Sequence, residues 1–93
     1  MYMGKPVVLD FFAEWCGPCR RQGPYLEQLK KKMGDQIEIK KIDVDQHMEL
    51  ANKYEIRVVP TLIIEKDGKV VEMLEGVTSA ESLERMLIPL VDR

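Results

Sequence analysis

The chain has 93 residues, enough for one hydrophobic core but not for two. Its 14 basic and 16 acidic residues leave a net charge of −2 and form no basic block, which argues against nucleic acid and anionic membranes as main partners. No apolar run near the N-terminus is long enough to cross a bilayer. No small-residue cleavage site follows a signal-like apolar core there. We therefore expect one domain over residues 1–93, located in the cytoplasm.

The first half of the chain predicts a strand, a long helix and a second strand. Val7–Ala13 is apolar except at Asp10, as expected of a strand that is buried on both faces. The apolar residues then shift to helical spacing, and Gly34 is a typical residue to end that helix. Pro24 lies inside the helix and is expected to bend it, because proline removes a backbone hydrogen bond. The second strand is predicted at Ile37–Val44.

The second half predicts a short helix followed by a hairpin. Residues 45–54 form the short helix, and Asp45 is expected to cap it. A strand at Thr61–Lys66 precedes Asp67-Gly68, a two-residue turn of the type that requires positive φ. The next strand, Val70–Glu75, therefore returns antiparallel to it.

A last helix completes the order β-α-β-α-β-β-α, and Thr78 with Glu81 predicts a capping box at its start. Right-handed crossovers would make the first three strands parallel, with the fourth antiparallel at one edge and helices on both faces. The predicted strand order is 2-1-3-4. The turn after the first strand then lies at the end of a central strand, where open α/β sheets place their sites.

The only two cysteines, Cys16 and Cys19, are three residues apart at the start of the predicted long helix. Residues at this spacing share a helix face, so the two sulfurs can reach disulfide distance. Free N–H groups and the helix dipole at this end favour a thiolate. A pair this close in sequence cannot staple a fold, so it is either reactive or metal-binding. His47 is the only further nitrogen or sulfur ligand, so we expect no metal within one chain, although a cluster shared between two chains stays open.

These residues resemble the thioredoxin family. Ala13–Cys19 is similar to its active-site segment, and Val8–Phe12 is similar to the strand that leads to it. Four further segments follow in the family's order and at its spacings: Lys40–Asp45, Ile56–Thr61, Asp67-Gly68 and Glu75-Gly76. The resemblance implies a three-layer thioredoxin-like α/β sandwich with a four-stranded mixed sheet. It also implies thiol–disulfide exchange through the Cys16–Cys19 pair, with no bound cofactor.

Two features depart from the family pattern. Only fifteen residues precede Cys16, so we expect a minimal form without the family's usual first strand and helix. Glu75 stands beside Gly76 where thioredoxins usually carry an apolar residue, which affects the choice of partner.

Each cysteine has a predicted role. Cys16 is expected to be the attacking nucleophile because it lies nearer the exposed start of the helix, and Cys19 is expected to resolve the mixed disulfide one turn deeper. Gly17 and Pro18 between them are typical of the reducing members of the family. A proline at this early helical position costs no hydrogen bond and stiffens the turn.

Asp10 is predicted to be a buried carboxylate with a raised pKa that serves as the general base for Cys19. The alternative is an outward-facing edge residue. The resemblance suggests that Lys41 lies near Asp10 and modulates its proton, and a solvated lysine is the alternative.

Four residues are predicted to form the docking patch for substrate: Trp15, Val59, Pro60 and Gly76. Gly17 and Pro18, between the cysteines, are predicted to contact substrate as well. The resemblance implies a cis peptide bond before Pro60, which would turn the Val59 backbone towards Cys16 to pair with an extended substrate. For Trp15 the alternative is ordinary core packing.

We therefore predict a monomeric reductase of protein disulfides. The resemblance implies a thioredoxin reductase, fed by NADPH or ferredoxin, as the electron donor. Two alternatives stay open: a redox-sensitive binding or regulatory module, and a glutaredoxin-like reductase that depends on glutathione.

Overall fold

The computed structural model describes residues 4–91. Its strands are β1 (Val7–Phe12), β2 (Glu38–Asp43), β3 (Thr61–Lys66) and β4 (Lys69–Glu75). Its helices are α1 (Gly17–Met33), α2 (Met48–Lys53) and α3 (Ala80–Leu87). Short 3₁₀ turns follow α1 at Gly34–Gln36 and α3 at Ile88–Leu90. The predicted order of elements is therefore confirmed.

The sheet has the predicted strand order, β2-β1-β3-β4, but one strand runs in the direction opposite to our expectation. β1 and β2 are parallel, whereas β3 is antiparallel to β1 and also to β4. The six residues of α2 span about 9 Å, whereas a six-residue strand spans about 20 Å. The helix alone therefore does not carry the chain back along the sheet, as a crossover helix between parallel strands would. The chain enters β3 at the end where β1 finishes, and Thr61 pairs with Phe11 there.

β1 is buried on both of its faces, as predicted. One face packs against α1 and α3, and its core includes Val8, Leu62 and Ile64 from the sheet. The other face packs against residues of α2, and its core includes Leu9 and Phe11. This position places β1, and with it the turn that leads to Cys16, between two packed cores.

Positive φ is found at two of the predicted turns, the hairpin turn and the end of α1. Asp67 and Gly68 have φ values of 53° and 80°, which confirms the hairpin turn. Gly34 has φ 55° and ends α1 as predicted. α1 continues through Pro24 without ending there.

Both predicted helix caps are wrong by one or two residues. α2 begins after His47, and the carboxylate of Asp45 instead accepts a hydrogen bond from the Trp15 indole. At α3 the cap is Ser79, whose hydroxyl accepts a hydrogen bond from the Ser82 N–H at 3.2 Å. The backbone of Thr78 is held by another partner, described below. Within residues 4–91, no helix has the length and apolar character needed to cross a bilayer.

Candidate active site

Cys16 and Cys19 form a disulfide at the start of α1, with their Cα atoms 5.3 Å apart. Cys16 is the N-cap residue of the helix, in an extended conformation. Its Sγ accepts a hydrogen bond from the backbone N–H of Cys19 at 3.2 Å. A donor in this position stabilises negative charge on sulfur, and so does the positive end of the helix dipole.

The exposures of the two cysteines are the reverse of our expectation. Cys16 is only 4% exposed, whereas Cys19 is partly exposed. The segment before β3 covers Cys16, whose Sγ lies 3.5 Å from the carbonyl oxygen of Val59. Cys19 instead borders an open cleft of about 440 Å³ that Lys41 and Arg20 also line. The two sulfurs therefore differ in the expected sense by their position at the helix start, which favours Cys16 as the nucleophile, and not by their exposure.

Asp10 is buried, as predicted, and is not an outward-facing edge residue. Its side chain is 2% exposed, and within residues 4–91 its Oδ1 has no hydrogen-bond partner. Loss of hydration raises the pKa of Asp10 to about 6, although the positive charge of Lys41 opposes this rise. A carboxyl group with this pKa can both take up and release a proton near neutral pH.

Lys41 lies next to Asp10 across the β1–β2 pair, where the two residues are direct partners in the register. Its side chain is exposed, and its Nζ lies 5.1 Å from the centroid of the Phe12 ring. Lys41 also lines the cleft beside Cys19. The structure therefore brings a cation near both the buried acid and the second sulfur.

Among the predicted substrate-binding residues, Val59 contacts Cys16, and Trp15 and Gly17 flank it in the chain. The peptide bond between Val59 and Pro60 is cis, as expected. The N–H of Gly76 donates a hydrogen bond to the Pro60 carbonyl oxygen at 2.8 Å, which joins the two segments. Trp15 is 71% exposed, so the alternative of core packing is wrong. We call Trp15, Val59, Pro60 and Gly76 the rim.

Gly17 and Pro18 lie exposed in the first turn of α1, between the two cysteines. Neither carries a hydrogen-bonding side chain, so a contact between either residue and a substrate would be apolar or would involve the backbone.

Two residues at the site were missed by the sequence analysis. Asp45 was read as a helix cap, but its Oδ2 accepts a hydrogen bond from Trp15 Nε1 at 2.8 Å and so orients the exposed indole. Gln22 is fully buried, and its side-chain amide forms two hydrogen bonds with the backbone of Thr78. Its position one turn before Leu26, in line with the apolar stripe of α1, was the signal that could have revealed it.

Within residues 4–91, no group of three or more His, Cys, Asp and Glu side chains is arranged to hold a metal ion. The two sulfurs of the site bond to each other.

Comparison with known proteins gives a consistent picture. The family model described as Thioredoxin matches residues 2–88. A thioredoxin of Bacillus subtilis (strain 168) is 47% identical over 81 residues, which cover 87% of this chain and 78% of the relative. The mitochondrial thioredoxin of Mus musculus is 42% identical over 86 residues, which cover 92% of this chain and 52% of the relative. The chain thus spans about half the length of several organellar relatives that it matches.

Two solved structures show the same fold. A mutant thioredoxin from Halobacterium salinarum NRC-1 is 34% identical, with a TM-score of 0.87 over 97% of this chain and 78% of that one. The thioredoxin of Fasciola hepatica is 40% identical, with a TM-score of 0.83 over 94% of this chain and 82% of that one. Sequence, fold and the cysteine pair agree, and the chain belongs to the thioredoxin family of thiol–disulfide oxidoreductases.

Proposed function

We propose that this protein reduces disulfide bonds in other proteins, with Cys16 as the nucleophile and Cys19 as the resolving thiol. One observation carries the proposal: Cys16 Sγ lies at the start of α1, within hydrogen-bond distance of the Cys19 N–H and next to the Val59 carbonyl. The Cys19 N–H and the start of the helix favour a thiolate at this sulfur, and an extended peptide can lie beside it.

The proposed reaction has two exchange steps. The Cys16 thiolate attacks one sulfur of the substrate disulfide, and the other substrate sulfur leaves as a thiolate. Cys19 then attacks Cys16 Sγ, and the second substrate sulfur leaves. The substrate gains two electrons and becomes a dithiol, while the protein loses two and forms the Cys16–Cys19 disulfide.

Asp10 is proposed to accept the proton of the Cys19 thiol during the second step. Its burial and its pKa of about 6 support this role, because an effective general base has a pKa near the operating pH. Lys41 would tune that proton through its charge, which already lowers the pKa of Asp10 against the effect of burial.

The rim is proposed to hold the substrate. Backbone pairing with an extended segment beside Val59 would give affinity without demanding one sequence. Glu75, next to Gly76, lies 3.7 Å from Arg57, and both side chains are well exposed, so this ion pair is weak and free to rearrange. Charged partner segments are therefore expected to affect docking at this end of the rim.

After each turnover the Cys16–Cys19 disulfide must be reduced again. We propose a thioredoxin reductase, fed by NADPH or ferredoxin, as the donor. We further propose that the protein acts as a monomer in a reducing compartment such as the cytoplasm. The comparisons favour neither a purely regulatory module nor a glutathione-dependent glutaredoxin.

A stoichiometric reaction tests the proposed function. Reduced protein is mixed with excess insulin in the absence of any other reductant. We expect one insulin disulfide to be reduced for each chain, with formation of the Cys16–Cys19 disulfide, as seen by mass spectrometry after thiols are blocked. Failure to reduce insulin while the cysteines stay reduced would contradict the proposal.

A second experiment, on the oxidised protein, tests the proposed electron donor. The oxidised protein is incubated with glutathione or with NADPH and a thioredoxin reductase. Faster reduction by the reductase is expected, and faster reduction by glutathione would favour the glutaredoxin alternative.

A further inference from the structure

Gln22 is a fully buried polar residue that the exchange chemistry does not use. A buried amide is costly unless both of its ends are hydrogen-bonded. Both ends of Gln22 are: its Nε2 donates to the Thr78 carbonyl oxygen at 2.9 Å, and its Oε1 accepts from the Thr78 N–H at 2.8 Å. One side chain therefore satisfies both backbone groups of a single residue in a distant segment.

The two partners connect the cysteine helix with the rim. Gln22 lies in α1, one turn after Cys19 and on the same face of the helix. Thr78 lies two residues after Gly76 in the chain. Within residues 4–91, no other side-chain hydrogen bond joins α1 to the segment 76–79.

The contacts around the active site form a closed ring. Cys16 Sγ lies 3.5 Å from the Val59 carbonyl oxygen. The next carbonyl, that of Pro60, accepts from the Gly76 N–H at 2.8 Å. Thr78, just beyond Gly76, is bound by Gln22, and α1 leads back to the cysteines. Removing the Gln22 amide would open this ring at one point.

Resting on the proposed function, we propose that Gln22 is a positioning residue that fixes the Gly76 side of the rim relative to the cysteines, and so favours extended protein substrates over small disulfides. A small disulfide needs only access to sulfur, whereas a protein segment must contact the cysteine and the rim at once. Errors in the relative position of two such groups are costly to reactions that depend on both.

The test replaces Gln22 with methionine, which keeps the length of the side chain but forms neither hydrogen bond. Gln28→Met is the matched control, because Gln28 is exposed on the same helix. For each variant, rates are measured with insulin and with the neutral small disulfide bis(hydroxyethyl) disulfide, with NADPH and a thioredoxin reductase supplying the electrons. In Gln22→Met, we expect kcat/KM for insulin to fall about tenfold relative to kcat/KM for the small disulfide, mainly through a higher KM. The ratio in Gln28→Met should stay at the wild-type value.

Amide hydrogen exchange gives a readout that does not depend on activity. In Gln22→Met, the amides of Thr78 and Gly76 are expected to exchange at least about tenfold faster, since one has lost its acceptor and the other its fixed surroundings. Should Gln22→Met not fold, Gln22→Leu serves in its place. Leucine is neutral, similar in volume and forms neither hydrogen bond, so the same change of the rate ratio is expected.

The outcomes separate this inference from the proposed function. If both disulfides lose rate equally in the Gln22 variants, or if neither does, the positioning role is wrong. If the wild type reduces neither disulfide, the proposed function is wrong. In that case unchanged exchange at Gly76 would overturn the positioning role as well, and faster exchange would support it.

Discussion

Replacing Cys16 with serine is expected to lower turnover of a protein disulfide by about 10³-fold or more, because a hydroxyl does not ionise near neutral pH and cannot replace the thiolate. Replacing Cys19 with serine should have a different effect. The first attack still occurs, but nothing resolves the product, so each chain should stop as a mixed disulfide with its substrate. The rate of insulin reduction with an electron donor present measures the first result, and mass spectrometry of the reaction mixture without reductant detects the second.

This pair of variants also tests the assignment of roles, which the exposures alone leave undecided. Cys16 is the more buried sulfur, yet it holds the N-cap position and accepts the Cys19 N–H. The chain has only these two cysteines, so a trapped mixed disulfide is unambiguous in each single variant. Accumulation of the mixed disulfide in Cys16→Ser, and not in Cys19→Ser, would show that the roles are reversed.

Replacing Asp10 with alanine is expected to stabilise the protein at pH 7. The pKa of Asp10 is about 6 in the folded chain, against 3.8 as its ordinary value. Between these two pH values the folded state keeps a proton that the unfolded state has lost, so the free energy of unfolding falls as pH rises. The full loss is about 3 kcal/mol and is complete above about pH 6. The small cavity left by the carboxyl group offsets part of the gain.

Urea unfolding from pH 3 to pH 8 measures this effect. The advantage of Asp10→Ala over the wild type should be small below pH 4, grow between pH 4 and pH 6, and then stay constant. Glu27→Ala, which removes an exposed carboxylate from α1, is the control and should show no such rise.

The same variant should slow the second chemical step. Without Asp10 the Cys19 thiol loses its proton acceptor, and we expect resolution of the mixed disulfide to slow by about 10- to 100-fold near pH 7. The rate should recover at high pH, where the thiol ionises unaided. An Asp10→Ala variant that is less stable than the wild type at pH 7 and resolves the mixed disulfide at the normal rate would contradict both parts of this account.

Much of the fold was predictable because local patterns determine it. The apolar run of β1, the hairpin at Asp67-Gly68 and the end of α1 at Gly34 depend on neighbouring residues, and all three are confirmed. The direction of β3 was not predicted correctly, because it depends on where the whole connection from Asp43 to Thr61 brings the chain, and that path is set by the packing of α2 against the sheet. Helix boundaries are set by tertiary contacts as well as by local sequence.

The site was predictable in part for a similar reason. The burial of Asp10 follows from the polarity of one residue in an apolar strand, and its position is confirmed. The low exposure of Cys16 depends on a segment more than forty residues away, around Val59. The burial of Gln22 could be inferred from its place in the apolar stripe of α1, but its partner Thr78 lies 56 positions along the chain. Contacts of this range leave little signal in a single sequence.

The central claim is that the start of α1 and the Cys19 N–H stabilise the thiolate of Cys16. The rate of alkylation of Cys16 by iodoacetamide in the reduced protein, measured by peptide mass from pH 4 to pH 10, tests it most directly. The account predicts a pKa clearly below the value of about 8.5 for free cysteine. A pKa at or above 8.5 would contradict it.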